Sequence, residues 1–451
     1  MTRAPGRGTV SRRDLLRGAG LLTLGALGVS ACGSPLATGL AGVGPGRHSL
    51  TYWNLFTGGD GVRMVAMVDA YQKAHPEVDL NPVTLTWGAP YYTKLSLATL
   101  GHRPPDVAIS HLDRFPALAQ GGLLTPLDTD VLARHGITEQ SFTPAAWRQA
   151  HLGETLYAIP LDTHPWVLYY NTEVCKKAGL LNKDGTLKNL DGHDGLLDAM
   201  AAAKKVTGAF GGAEPIIGDT ATAWREFSTL YWQLGGNDVL ADNGTRVVLD
   251  EAKAAQALAY QAELTVQRKL MPNTDYNGAV ATFSTGKAAF FLQGPWEVTT
   301  FLTAKTPFSM TTYPNVFGHY VVWADSHSFV LPADAGRDAD RLALTLEFVR
   351  YLLGQSVTWA EGGHVPAYLP VQNGAAYHRL QPQSRYTRAA YAAHYDPIAW
   401  YSGAGSNFEN AVGSPVIDVK SGRSHPEQAA AQMRANLEKY ANTPPPVGKQ
   451  R

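Results

Sequence analysis

The hydrophobic positions of this chain fall into short blocks of two alternating kinds. Leu50–Phe56, LTYWNLF, is an apolar run of strand length that ends in the polar loop TGGDG. Val62–Ala74 then carries Met64, Met67, Val68 and Tyr71 at three- and four-residue spacing, which predicts one buried helical face. Asp60 stands just ahead, where a helix cap belongs, and Pro76 closes the segment. A strand over Val78–Trp87, a helix over Tyr91–Leu100 and a strand over Asp106–Ser110 follow. Strand, helix, strand, helix, strand at this spacing predicts a parallel sheet with right-handed crossovers. Ligands of such sheets bind beyond the carboxyl ends of the strands. The polar loops Thr57–Gly61 and Ser110–Arg114 leave two of those ends.

The middle of the chain is patterned for helices over Gly195–Val206, Trp224–Leu234 and Glu251–Lys269. Phe283–Phe291 reads as helix or strand and breaks at the turn Gly294-Pro295-Trp296. Phe329–Pro332 closes a strand. Asp338–Leu353 is an amphipathic helix with Leu342, Leu346, Val349 and Leu353 on one face. The body contains no internal repeat, heptad run or low-complexity stretch.

One stretch breaks the pattern. In YAIPLDTHPWVLYYN, Tyr157–Asn171, the polar step Asp162-Thr163-His164-Pro165 is set between two strand-like runs. Asp, Thr and His are the components of a hydrolase. They serve equally in a site that grips a polar ligand, or in a plain turn between strands.

The N-terminus is a targeting segment. Arg3, Arg7, Arg12, Arg13 and Arg17 form a basic region, followed by thirteen mostly apolar residues, Gly18–Ser30, too few to span a bilayer. Loss of residues 1–31 removes five Arg and one Asp and takes the formal charge from 0 to −4. A chain so balanced offers no footprint for nucleic acid. Its 10 Trp and 20 Tyr supply packing mass and half-wet binding surfaces. With 2 Cys, one of them Cys32, no disulfide framework is available, and Cys175 reads as a small packed residue. The stretch 32–47 is a Gly- and Pro-rich tether, and 443–451 a Pro-rich tail.

Catalytic signatures are scarce in the chain. The chain has no phosphate-binding GxxxxGK[ST], no HExxH and no G-x-S-x-G. Its 14 His are scattered, so no metal site and no cofactor are expected. A glycosidase needs only two carboxylates at the right separation, and Asp113, Asp162 and Glu361 leave that reading open.

SRRDLLR, Ser11–Arg17, resembles a twin-arginine export signal. VSAC, Val29–Cys32, resembles a lipobox, in which Cys32 takes the lipid and becomes the first mature residue. RPPDVAISHLDRFPALAQGGLLTPLD (103–128), YAIPLDTHPWVLYYNTEVCKKAGL (157–180) and FSTGKAAFFLQGPWE (283–297) stand in one order. Together they resemble blocks of the extracellular solute-binding proteins of ABC importers, of the maltose and multiple-sugar class. The resemblance implies an α/β fold of the two-lobed, type II periplasmic-binding-protein kind, with crossover segments around a central cleft. The lobes are expected at 48–158 plus 306–349 and at 159–305 plus 350–442, with crossings near Ala158–Leu161, 305 and 350.

It further implies a lipid-anchored monomer at the extracytoplasmic face of the membrane. That receptor takes a carbohydrate by hinge closure and delivers it to permease subunits, without catalysis and without nucleic acid. Carried over by position, Asp60, His111, Asp113, Arg114, Asp162, His164, Trp224, Arg225, Trp296 and Trp400 are the expected ligand contacts. Ser326–His327 and Glu361–His364 are expected to border the cleft. Ser110 stands where maltose-binding members place an aromatic platform, and His164 where they place a carboxylate. Both departures argue against simple transfer of maltodextrin specificity. A receptor for a glycerophosphodiester or another polar solute is the alternative, because Arg114, Arg225, His111 and His164 suit a phosphate. A carbohydrate-active hydrolase is the third reading.

Overall fold

The computed structural model describes residues 48–445. The expected export segment 1–31, Cys32, the rest of the expected tether and residues 446–451 lie outside the described residues. The chain opens with β1 (Ser49–Asn54), α1 (Gly61–Ala74), β2 (Asp79–Thr84), α2 (Ala89–Leu100) and β3 (Val107–His111). β1 pairs in parallel with both β2 and β3, the arrangement that the alternating pattern predicts. All five residues of β3 are buried, as in a central strand covered on both faces. In α1, Met64, Met67, Val68 and Tyr71 are the buried face. Trp87 lies beyond the end of β2, because the strand stops at Thr84.

After a stretch of short helices come β4 (Ala158–Pro160), β5 (Asp162–Pro165) and β6 (Val167–Asn171). Next are α3 (His193–Thr207), β7 (Gly212–Ala213), α4 (Thr220–Gln233) and α5 (Glu251–Ala262). Then follow α6 (Tyr276–Ser284), β8 (Phe290–Gln293), β9 (Phe308–Thr312), β10 (Val322–Asp325) and β11 (His327–Val330). The chain ends with α7 (Ala339–Gly354), α8 (Ser356–Ala360), β12 (Val365–Pro366), β13 (Ala393–His394), α9 (Asn407–Lys420) and α10 (Pro426–Ala441). The segment 283–291, ambiguous in sequence, is the end of α6 and the start of β8.

Three sheets organise these elements. The first lobe holds the order β2-β1-β3-β11-β4 and the second β9-β6-β8-β7. A third sheet, β12-β5-β10-β13, gathers strands from the three passages between the lobes together with β13. One core gathers Tyr52, Ile109, Phe329 and Phe348, and another gathers Trp224, Phe227, Tyr231 and Phe408. Among the described residues no helix is long and apolar enough to cross a membrane. Cys175 is buried and unpaired, and burial pushes its thiol up to about 12, which fits a packed, unreactive residue.

The crossings differ from those expected. β4 still pairs with β11 in the first sheet, so the first crossing is β5 and not Ala158–Leu161. β9 pairs with β6 along 308–312, so the chain stays in the second lobe past 305 and returns at the β10–β11 junction. The end of α7 and Trp359 pack in the first core, which moves the third crossing from 350 to about 360–366. The assumed boundaries placed the breaks ahead of apolar segments that pairing and packing then kept in their lobes.

The second lobe also encloses a charge cluster. Lys420 Nζ lies 2.5 Å from Glu214 and 2.6 Å from Glu226, with all three side chains buried. Gln261 donates to Glu226 as well. Removal of one partner strands charge in a dry interior, which costs more than the pair gains. Lys420→Met is expected to destabilise the fold by about 3–5 kcal/mol in denaturant unfolding. A change below 1 kcal/mol would mean that the cluster is already solvated.

Candidate functional site

A cavity of about 410 Å³ lies at the carboxyl end of the first sheet, within the range of small-ligand sites. One wall is the loop Thr57–Asp60, with Trp87 and His111. The other carries Asp219, Ala221, Arg225, Tyr276, Trp296 and Glu297, and His164 and His327 reach it from the crossing strands.

Local sequence explains these positions. Asp60 is the residue before α1, but its side chain makes no cap hydrogen bond and faces the cavity instead. Burial pushes its carboxyl up to about 6; His327 pulls against that rise, while Glu297 adds to it. Gly294 lets the GPW turn fold under its own indole. A Cβ at Gly294 would lie 1.8 Å from the Trp296 ring. Trp296 Nε1 donates to Tyr276 Oη at 2.9 Å, and Tyr276 donates to Glu297. Gly363 takes φ +113° and passes so close to the same turn that a Cβ would meet Pro295 O at 1.9 Å. Arg225 lies between two indoles, 4.7 Å from Trp323 and 5.1 Å from Trp296, and pairs with Glu409 at 3.6 Å.

At the cavity floor, β3 and β11 set His111 directly opposite His327, and β5 and β10 set His164 opposite Asp325. Asp162 lies beneath, fully buried. Its Oδ1 contacts His164 Nδ1 at 3.0 Å and accepts from the His327 backbone N–H at 3.0 Å. Its Oδ2 contacts His327 Nδ1 at 2.7 Å and accepts from Trp359 Nε1 at 2.5 Å. Burial opposes this charge, but His327, His364 and His164 outweigh it and hold the carboxyl well below the usual range. Burial lowers His164 to about 4 and holds His111 and His364 well down. For His327 burial is outweighed by Asp162, which raises it. The histidines that seemed scattered in sequence are thus gathered by the crossing segments.

Of the ten expected contacts, Asp60, His111, His164, Arg225 and Trp296 line the cavity. The other five are set away from its wall. Asp162 is one layer below. Asp113 accepts from the Asp396 backbone N–H at 3.0 Å and is held inside the protein. Arg114 donates to Ser402 O at 3.1 Å and lies over the Tyr92 ring. Trp224 is core; its indole packs on Phe408 and donates to Asp396 at 2.7 Å. Trp400 packs against Tyr401 and Tyr440. Both indoles are placed by apolar packing, which their sequence neighbours do not reveal. Glu361 pairs with Arg63 at 2.5 Å and is likewise off the wall. Trp87, Asp219, Tyr276 and Glu297 were not anticipated. Only the position of Glu297, beside Trp296 in the GPW turn, carried a signal.

The profile of the bacterial extracellular solute-binding protein family matches residues 58–358. The chain is similar to the xylose/arabinose-binding protein XacG of Haloferax volcanii, 24% identical over 284 residues, 60% of this chain and 60% of that one. It is also similar to the arabinooligosaccharide-binding protein of Bacillus subtilis, 26% identical over 257 residues, 56% of this chain and 54% of that one. The matches therefore span little more than half the length of these curated relatives. The GacH receptor of Streptomyces glaucescens, solved unliganded and with acarbose, shares the fold at a TM-score of 0.73 and 21% identity. That superposition covers 87% of this chain and 98% of the receptor.

Behind Arg225 lies a set of buried carboxyls. Burial pushes Asp396 up to about 6 and Glu409 up to about 7. It also raises Asp325 to about 8 and holds Asp113 well above its ordinary range. A carboxyl whose pKa is raised by folding binds more protons folded than unfolded. Its contribution is full below about 4, the unfolded value, and is lost as pH climbs through the folded value. His111, His164 and His364, lowered by burial, act in the opposite sense below about 6.5, so the melting temperature should fall between about pH 6.5 and pH 8. Glu409→Gln should flatten the upper part of that fall. A melting temperature that rises over this window would refute the assignment.

Proposed function

The chain belongs to the bacterial extracellular solute-binding protein family, and we propose that it is the carbohydrate receptor of an ABC importer. It takes an oligosaccharide or amino sugar between its lobes, closes over it and hands it to permease subunits. Lipid on Cys32 holds it at the extracytoplasmic face of the membrane. It performs no chemistry on the ligand.

The observation that carries the sugar reading is the composition of the cavity wall. Trp296, Trp87 and Tyr276 offer flat apolar faces beside Asp60, Asp219, Glu297 and Arg225. A sugar ring presents apolar C–H faces and a rim of hydroxyls, and the two surfaces are complementary. Charged acceptors make the stronger hydrogen bonds to such a rim. The xylose, arabinose and arabinooligosaccharide named for the relatives belong to this class.

The same wall weighs against a glycerophosphodiester. Three carboxylates face the cavity against a single guanidinium, and Asp60 and Glu297 would repel a phosphate. Arg225 supports the phosphate reading only in part, since it already pairs with Glu409 at 3.6 Å. A hydrolase built on Asp113, Asp162 and Glu361 has little support, because none of them reaches the cavity.

Closure over the ligand rests on the crossings. Ligand contacts shared by both walls exist only in the shut form, so binding shifts the population toward it. Tryptophan fluorescence and melting temperature, read against mono-, di- and oligosaccharides, amino sugars and glycerophosphodiesters, are expected to give a saturable shift with a sugar and no product. Trp296→Ala is expected to weaken that binding by about 1.5–4 kcal/mol, as for other buried aromatic anchors. Unchanged affinity would place the ligand elsewhere, and turnover would overturn the receptor reading.

A further inference from the structure

We propose that Asp162, His164, His327 and His364 form a binding site for one borderline divalent transition-metal ion, of which Zn2+ is the natural probe. The site lies beneath the sugar cavity and does not depend on the carbohydrate reading. One ligand atom from each of the four residues lies within 4.8 Å of the others, and all four side chains are buried.

The geometry suits a small tetrahedral ion. Bonds of about 2.0–2.1 Å to nitrogen and oxygen set neighbouring ligand atoms roughly 3.3 Å apart. Here the Asp162 oxygens stand 3.0 Å from His164 Nδ1, 2.7 Å from His327 Nδ1 and 3.3 Å from His364 Nδ1. The remaining ligand-atom pairs lie within 4.8 Å, so the imidazoles would draw together by up to about 1.5 Å to close on an ion. Three imidazoles and one carboxylate select a borderline ion such as Zn2+ over Mg2+ or Ca2+, which prefer oxygen cages.

An independent observation points to a missing partner. A carboxylate has about four lone-pair sites. Those of Asp162 are already engaged by His164, by the His327 ring and backbone, and by Trp359. His364 is left over. It is completely buried, and neither ring nitrogen makes a hydrogen bond. A buried imidazole with both nitrogens idle costs stability and calls for an explanation. A metal at Nδ1 supplies one. Asp60 Oδ2 lies 3.8 Å from His364 Nε2 and would have to close by about 0.8 Å to orient the ligating ring as an outer carboxylate does. His164 and His327 line the cavity and give the ion a way in.

The donors come from every passage between the lobes. Asp162 and His164 belong to β5, His327 opens β11, and His364 precedes β12. A bound ion would therefore tie the three crossings together and stiffen the region about which the lobes move.

The experiment uses the purified protein, stripped with a chelator and free of sugar. Zn2+ is titrated against a chromophoric competitor, and Co2+ is read by its visible spectrum. One equivalent of Zn2+ per chain, a rise in melting temperature and the intense bands of tetrahedral Co2+ are expected. His364→Ala and His164→Gln should each lower Zn2+ affinity by at least about 100-fold, beyond the 10–100-fold usual for outer residues. Failure of the wild-type protein to take up one equivalent overturns the proposal. So does an octahedral Co2+ spectrum, or undiminished affinity in both variants. The wild-type spectrum decides the matter even where a variant does not fold.

Discussion

The carboxylate of Asp162 is the point on which the two lobes are joined. It is fully buried, yet it stays ionised because donors from two crossing segments and from Trp359 converge on it. The first crossing supplies Asp162 and His164, the second supplies His327, and the third brings His364 alongside. Loss of the carboxylate would leave several buried donors unpaired at once, which is the costly direction of the hydrogen-bond ledger. The constraint explains why the crossings form a sheet of their own. β5 must lie between β10 and β12 for one short side chain to reach all three passages.

From that junction the cavity wall follows. The register that sets Asp325 against His164 and His327 against His111 turns the imidazoles toward the space between the lobes. On the far side, the GPW turn is clamped by two close backbone approaches, at Gly294 and Gly363. Trp296 therefore has little freedom, and its indole N–H is committed to Tyr276. A platform held this way loses little entropy when a ligand stacks on it. Gly363 also links wall and floor, because it brings the residue before His364 against Pro295.

The parallel start of the first sheet was legible in the sequence because it rests on local periodicity, whereas the two-lobed plan was implied only by the family resemblance. Met64, Met67, Val68 and Tyr71 predict α1, and the short strand-helix spacing predicts the parallel start of the first sheet. The loops after β1 and β3 then locate Asp60 and His111 at the cavity. What was not legible depends on long-range pairing. Phe308–Thr312 carries no mark that says it pairs with Val167–Asn171, so the second crossing was set too early. Trp224 and Trp400 resemble platform residues in composition, but only tertiary packing shows that core partners claim their faces. His164, His327 and His364 are separated by 163 and 37 positions, and no spacing rule joins them.

The buried carboxyls show one residue type settled in two ways. Asp162 keeps its charge because His327, whose pKa is raised, lies against it and because His164, the His327 backbone and Trp359 hydrogen-bond to it. Burial raises the carboxyls of Asp113, Asp325, Asp396 and Glu409 instead, and Arg225 pulls against that rise at Asp396 and Glu409. Coulomb attraction repays desolvation only where opposite charge is close and plentiful. Arg225 is shared between Glu409, two indoles and the cavity, so it cannot neutralise the whole group. A ligand that drew on Arg225 would compete with Glu409 for it and favour protonation of that acid. A neutral sugar that leans on Trp296 makes no such demand. The interior electrostatics therefore weigh against an anionic ligand, on grounds separate from the shape of the cavity.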